Sequence, residues 1–226
     1  MIIRAVQKFS AVDYPGLLCA TVFTPGCNLR CPFCHNGTLV LEDEPDVREE
    51  VVFEFLESRK NKLDAVCLSG GEPLLQKGVE EFLRKVKEMG FKTKLDTNGT
   101  KLQYLKEILM SGVVDYVAMD IKNSPARYAE TVGVKAFSLK PVYESIDIIR
   151  SSGVEYEFRT TVTKTFHNEE SLLEASHMIE GASLWYLQTY RESENVIDKT
   201  VEGYSEEEMK RLCENLRKTV PFVRLR

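Results

Sequence analysis

Leu17–His35, LLCATVFTPGCNLRCPFCH, is the stretch from which the fold can be read. Its first seven residues are apolar or β-branched, as a buried strand requires, and Thr24-Pro25-Gly26 ends the run. Cys27, Cys31 and Cys34 follow at C-x3-C-x2-C spacing, so half of the six cysteines in 226 residues fall within eight positions. A structural zinc ion closes its tetrahedron with four protein ligands. His35 is awkwardly placed to share a metal with its neighbour Cys34, and Cys67 lies in an apolar run, so zinc needs a distant fourth ligand. Zinc with three thiolates and a water, or a disulfide within the cluster, are weaker readings. An iron–sulfur cubane fits better: three thiolates hold three irons and leave the fourth free to coordinate a small molecule. Pro25-Gly26 and Pro32 set turns that help the thiolates point inward.

Working outward, apolar strand segments at 17–23, 65–71, 91–99, 113–122, 154–162 and 184–190 alternate with helical ones. The helices are expected near 47–60 and at 74–89, 101–112, 138–152, 167–180 and 205–218. In 74–89, Leu75, Val79, Phe82, Val86 and Met89 share one face, the mark of an amphipathic helix. About six βα units imply an α/β fold with a parallel sheet, and no linker interrupts residues 1–226, so one domain is expected. Periodicity leaves open whether the sheet is doubly wound or a partial barrel. Either puts its ligand site at the carboxyl ends of the strands. Polar residues gather at those ends: the cysteine loop, Ser69-Gly70-Gly71-Glu72-Pro73, Asp96-Thr97-Asn98-Gly99, Asp120-Ile121-Lys122, Arg159, and Gln188 to Arg191.

The composition is 43% hydrophobic and 29% charged, with a net charge of −5 and both signs interspersed. The absence of a basic block argues against nucleic acid as a main partner. No apolar run approaches the roughly 20 residues that span a bilayer, and the N-terminal residues do not form a signal peptide. A cytoplasmic protein is expected. There, clustered cysteines favour metal ligation over disulfides. Cys19, Cys67 and Cys213 read as small buried hydrophobes.

The C-x3-C-x2-C loop after a first strand, Phe33 before its last cysteine, and Gly70-Gly71-Glu72-Pro73 after the second strand together resemble the radical S-adenosylmethionine (SAM) superfamily. The segments FSAVDYPGLLCATVFTPGCNLRCPFCHNG, SGGEPLLQ, LDTNG and DIK resemble the activating enzymes of glycyl-radical proteins. The strongest likeness is to anaerobic ribonucleoside-triphosphate reductase activating proteins; pyruvate formate-lyase activating enzymes are similar. The resemblance covers Phe9 to at least Arg191.

It implies a partial (β/α)6 barrel of the radical SAM type, with the cluster loop after the first barrel strand. Cys27, Cys31 and Cys34 would ligate a 4Fe-4S cluster whose open iron is chelated by the amine and carboxylate of SAM. One electron from the reduced cluster would break a C–S bond, and the 5′-deoxyadenosyl radical would take a hydrogen atom from a glycine Cα of a partner protein. The cofactor carries the hard chemistry. A one-electron donor such as flavodoxin or ferredoxin is implied; nucleic acid and membrane are not.

The resemblance also suggests cofactor contacts. Gly70, Gly71 and Glu72 form the amine-binding motif, and Asn98 lies at the next strand end. Asp96, Thr97 and Asp120 would surround the carboxylate, where related enzymes hold a monovalent cation. Lys122 shares the face of Asp120. Arg159, between Glu157 and Thr161, would bind carboxylate or ribose from inside the barrel. Phe33 would stack on adenine or pack the loop, and His35 would hydrogen-bond the ligand. Each has a plainer reading as a turn, a cap or a solvated strand face. In one departure, the activase pattern has a histidine near Arg191 where this chain reads QTYR, which weakens the transfer of ribose contacts. Two other functions compete: radical SAM chemistry on a small molecule, as in 7-carboxy-7-deazaguanine synthases, and a non-catalytic metal-stabilised binding protein. The short chain, with no second cysteine cluster, favours a macromolecular substrate, and the residues after Glu192 are expected to face the partner.

Overall fold

The computed structural model describes residues 1–41 and 45–226. Its strands are β1 (Ala5–Ser10), β2 (Cys19–Thr24), β3 (Ala65–Gly70), β4 (Lys92–Thr97), β5 (Tyr116–Asp120), β6 (Glu155–Val162), β7 (Trp185–Thr189) and β8 (Val223–Leu225). They form one sheet in strictly sequential order. The β1–β2 pair is antiparallel, and every later pair is parallel. This order decides the question that periodicity left open. A doubly wound sheet reverses its strand order at a switch point. Here the chain advances in one direction, as in a barrel, and β8 does not pair back onto β1.

The helices are α1 (Gly37–Leu41), α2 (Glu49–Glu57), α3 (Val79–Glu88), α4 (Leu102–Met110), α5 (Tyr128–Thr131), α6 (Lys140–Ser151), α7 (Glu169–Met178) and α8 (Glu206–Arg217). The helix expected over 74–89 is divided. Pro73–Leu75 forms a 3-10 turn, and α3 begins only after Gly78, whose φ of 81° is left-handed. Capping boxes start α7, through Asn168 and Ser171, and α8, through Ser205 and Glu208.

Alternation along the strands separates two interiors. One face carries Val66, Leu68, Leu95, Val117, Phe158 and Leu187 against Phe82, Val86, Ile108, Ile146, Leu172 and Leu216 of the helices, forming the main core. The other face lines the lumen. At its lower end Cys19, Ala65, Cys67 and Tyr116 pack with Tyr14. Above them the lumen becomes charged: Lys94 and Glu157 are fully buried. Cys67 is buried as expected, but Lys94 Nζ lies 3.8 Å from its Sγ, so its surroundings are not simply apolar.

Candidate active site

The carboxyl ends of the strands surround a cavity of about 350 Å3. Cys27, Cys31, Cys34, Phe33, His35, Gly70, Gly71, Asp96, Thr97, Asn98, Asp120, Lys122 and Arg159 all line it. Of the strand-end residues picked from the sequence, Ser69 and Gln188 also line it, whereas Glu72, Tyr190 and Arg191 do not. Asp13, Asn36 and Thr161 line it although no ligand contact was expected of them.

The floor is a connected run of charges. Lys94 pairs with Asp96 Oδ1. Asp96 Oδ2 accepts from Arg159 at 3.2 Å and from the Ser69 hydroxyl at 3.0 Å. Arg159 Nε reaches Asp120 Oδ1 at 3.1 Å, and Lys122 Nζ reaches Asp120 Oδ2 at 3.0 Å. Burial alone would raise the Asp96 pKa, but Arg159 and Lys94 override it and hold it at about 2. Burial likewise works against the charges on Lys122 and Arg159, but Asp120 and Asp96 respectively raise both above their ordinary values. The side chain of Arg159 is only 13% exposed, so it does not lie on a solvated strand face. The monovalent cation expected beside Asp96, Thr97 and Asp120 finds both carboxylates already neutralised by side chains, and the Thr97 hydroxyl donates to Glu72 Oε1 at 2.8 Å.

Glycines bind the β3 end to the cysteine loop. Gly71 N–H donates to Thr24 O at 2.9 Å and Glu72 N–H to Gly26 O at 2.8 Å. A Cβ on Gly71 would collide with the Gly26 carbonyl, and one on Gly70 with the Thr24 backbone. Asn36 Nδ2 donates to Gly70 O at 2.7 Å. Glu72 itself is fully buried. Its carboxylate accepts from Leu74 N–H, the Thr97 hydroxyl and Asn98 N–H at 3.1, 2.8 and 2.7 Å. Burial pushes its pKa up to about 7 against those three donors. In this arrangement Glu72 fixes the strand ends rather than lining the cavity.

The segment after β7 braces the same loop from outside. Gly37 N–H donates to Asn195 O at 3.0 Å, and Asp198 N–H donates to Pro32 O at 2.9 Å. The His35 and Tyr190 rings lie 5.3 Å apart. Phe33 packs against Phe166 and His167, with centroids 5.8 and 6.0 Å away. Residues 195–198, expected to face a partner, therefore grip the cysteine loop. These are backbone bonds, which side-chain identity does not reveal.

All six cysteines are free. Burial pushes the Cys31 thiol up to about 12 and raises Cys27 and Cys34 as well. Three sulfurs around one cavity, that of Cys31 buried and those of Cys27 and Cys34 half-buried, form a donor set that a bound cationic centre would convert to thiolates. Among the described residues, no group of three or more His, Cys, Asp or Glu side chains is arranged around one metal ion. Cluster thiolates each meet a different iron and need not converge on a point, so the set fits a cubane better than zinc.

The one-directional sheet and its thiol-lined mouth define an iron–sulfur enzyme of the partial-barrel class. The chain belongs to the radical SAM superfamily, whose profile matches residues 21–179. Members use a 4Fe-4S cluster and SAM. A Methanocaldococcus jannaschii protein, provisionally named a glycyl-radical enzyme activating enzyme, is 33% identical over 84% of this chain and 80% of its own length. The pyruvate formate-lyase-activating enzyme of Staphylococcus aureus is 37% identical over 54% of this chain and 53% of its own. The fold matches Streptococcus suis SuiB, solved bound to precursor peptide SuiA. The TM-score is 0.74 and the identity 18%, over 91% of this chain and 48% of that one. No helix among the described residues is long and apolar enough to cross a membrane.

Proposed function

We propose that this radical SAM enzyme is an activase that installs a glycyl radical on a partner protein, with anaerobic ribonucleoside-triphosphate reductase the first partner to test. The observation that carries the reading is the continuity of the cavity with a wider groove. That groove encloses about 730 Å3 and shares Asp13, Arg159 and Gln188 with the cavity. Its walls include Val12 before β2, Tyr204 and Lys210 around the start of α8, and Leu225 of β8. It thus lies at the seam where the sheet stays open, and an open path suits a polypeptide better than a small metabolite. The relatives named as activating enzymes support the same reading.

Cys27, Cys31 and Cys34 would hold the 4Fe-4S cluster. When bound and reduced, it supplies the electron that splits SAM to methionine and the 5′-deoxyadenosyl radical that takes hydrogen from glycine Cα. Gly70 and Gly71 bring bare backbone to the ligand amine. On the floor, Lys94, Arg159 and Lys122 pair with Asp96 and Asp120. Lys122 and Arg159, both in the cavity lining, are the cations that would meet the ligand carboxylate. Phe33 and the His35–Tyr190 pair offer aromatic surface for adenine. Glu72 and Asn98 hold these elements in register. A reducing cytoplasm and a donor such as flavodoxin or ferredoxin complete the reading.

The test is anaerobic incubation of the reconstituted, reduced enzyme with SAM and the reductase, followed by electron paramagnetic resonance. A glycyl doublet on the reductase is expected. SAM cleavage without a doublet on any glycyl-radical protein of the same organism would move the assignment to a small-molecule substrate.

A further inference from the structure

We infer that Asn98 is a positioning residue for the cluster: its side-chain amide donates a hydrogen bond to the Cys27 sulfur and thereby raises the reduction potential of the centre that Cys27 helps to hold. The inference rests on the assignment of the three cysteines as cluster ligands.

Asn98 is 6% exposed, and its backbone N–H and both polar atoms of its side chain have partners. Its N–H donates to Glu72 Oε2 at 2.7 Å. Its Oδ1 accepts from the Thr100 backbone N–H at 3.0 Å and from the Thr100 hydroxyl at 2.7 Å. A backbone N–H only donates, so this contact fixes which end of the amide is oxygen. Nδ2 must then point the other way, where it lies 3.1 Å from Asn28 Oδ1 and 3.7 Å from Cys27 Sγ. Asn28 Nδ2 donates in turn to the Thr100 hydroxyl at 2.8 Å. Three side chains thus close a ring: Asn98 to Asn28, Asn28 to Thr100, and Thr100 back to Asn98. One amide proton is left over, and it faces the sulfur.

Cys27 also accepts from Leu29 N–H at 3.4 Å. Hydrogen bonds to cluster sulfur favour the more negative, reduced state and so raise the potential. A donor locked by its own ring stays in place in both oxidation states. The rigidity comes from residues 28 and 98–100, which meet only because the β4 end lies beside the cysteine loop.

The experiment is a potentiometric titration of the reconstituted holoprotein, read by the paramagnetic signal of the reduced cluster, with iron content measured alongside. Asn98→Leu keeps the bulk and removes the donor. At the native midpoint potential its reduced-to-oxidised ratio is expected to fall about tenfold, equivalent to about 59 mV for one electron. Should that variant hold no iron, Thr100→Val carries the test, because it opens the ring and leaves the donor in place. Its shift is expected in the same direction and smaller. Full iron content with an unchanged midpoint in the variant that loads would overturn the inference. Absence of iron from the native protein would instead overturn the ligand assignment beneath it.

Discussion

The floor of the barrel and the cysteine loop above it face one cavity but are completed in different ways. On the floor, Asp96 and Asp120 are each paired with two of the cations Lys94, Lys122 and Arg159 through contacts made by the chain itself. In the loop, three thiols are pushed by burial away from the thiolate form, with only Lys122 near enough to ease all three. The floor is therefore preorganised before any cofactor arrives, whereas the loop has its geometry set by neighbours and its charge left for the cofactor to balance. Damage to the floor should cost folding stability. Damage to the loop should cost cofactor and leave the fold.

The largest effect should follow from breaking the loop. Cys31→Ala is expected to abolish iron retention and SAM cleavage. The apoprotein's unfolding free energy should change by only about 1 kcal/mol, the scale of one small buried group. Matched iron assays and urea titrations check this, and a collapse of apoprotein stability would erase the contrast.

Next comes the floor. Arg159→Met leaves Asp96 and Asp120 each short of a buried partner, so a loss of about 3–5 kcal/mol is expected in the same titration. A neutral result would mean that Lys94 and Lys122 suffice, and that Arg159 is there chiefly for the ligand.

The smallest effect sharpens the comparison by pH. Asp96 is depressed to about 2, so its contribution is complete above the ordinary carboxylate pKa of about 4 and is lost as pH falls through about 2. Glu72 is raised by burial to about 7, so its contribution is complete below about pH 4 and is lost as pH rises through 7. Apoprotein stability measured from pH 2 to 9 should show an acid limb that Asp96→Asn removes and a shallow neutral limb that Glu72→Gln removes.

Much of the site was legible because polar residues end apolar strands, and a parallel sheet brings all such ends together. Gly70-Gly71, Asp120 and Lys122 were readable in this way. Lys94 was not. In FKTKLD, residues 92, 94 and 96 alternate as a solvated face would, and only the curling of the sheet into a partial barrel puts Lys94 inside while Lys92 stays exposed. The Glu157–Arg226 pair, at 2.8 Å, joins residues far apart in the chain. β8 is only three residues long and β1 carries Gln7 and Lys8, so neither announces itself. The Asn28–Thr100 ring was hidden for the same reason as the strap at 195–198: its partners adjoin only in the fold.

Central to the proposal is a redox centre seated on three thiols that have no fourth protein partner among the described residues. Its most direct test is anaerobic reconstitution with iron and sulfide, then reduction in the presence of SAM. About four irons per chain are expected, as a cubane requires, with formation of 5′-deoxyadenosine that depends on both iron and reductant. Stoichiometric zinc that resists replacement, with no 5′-deoxyadenosine, would contradict it.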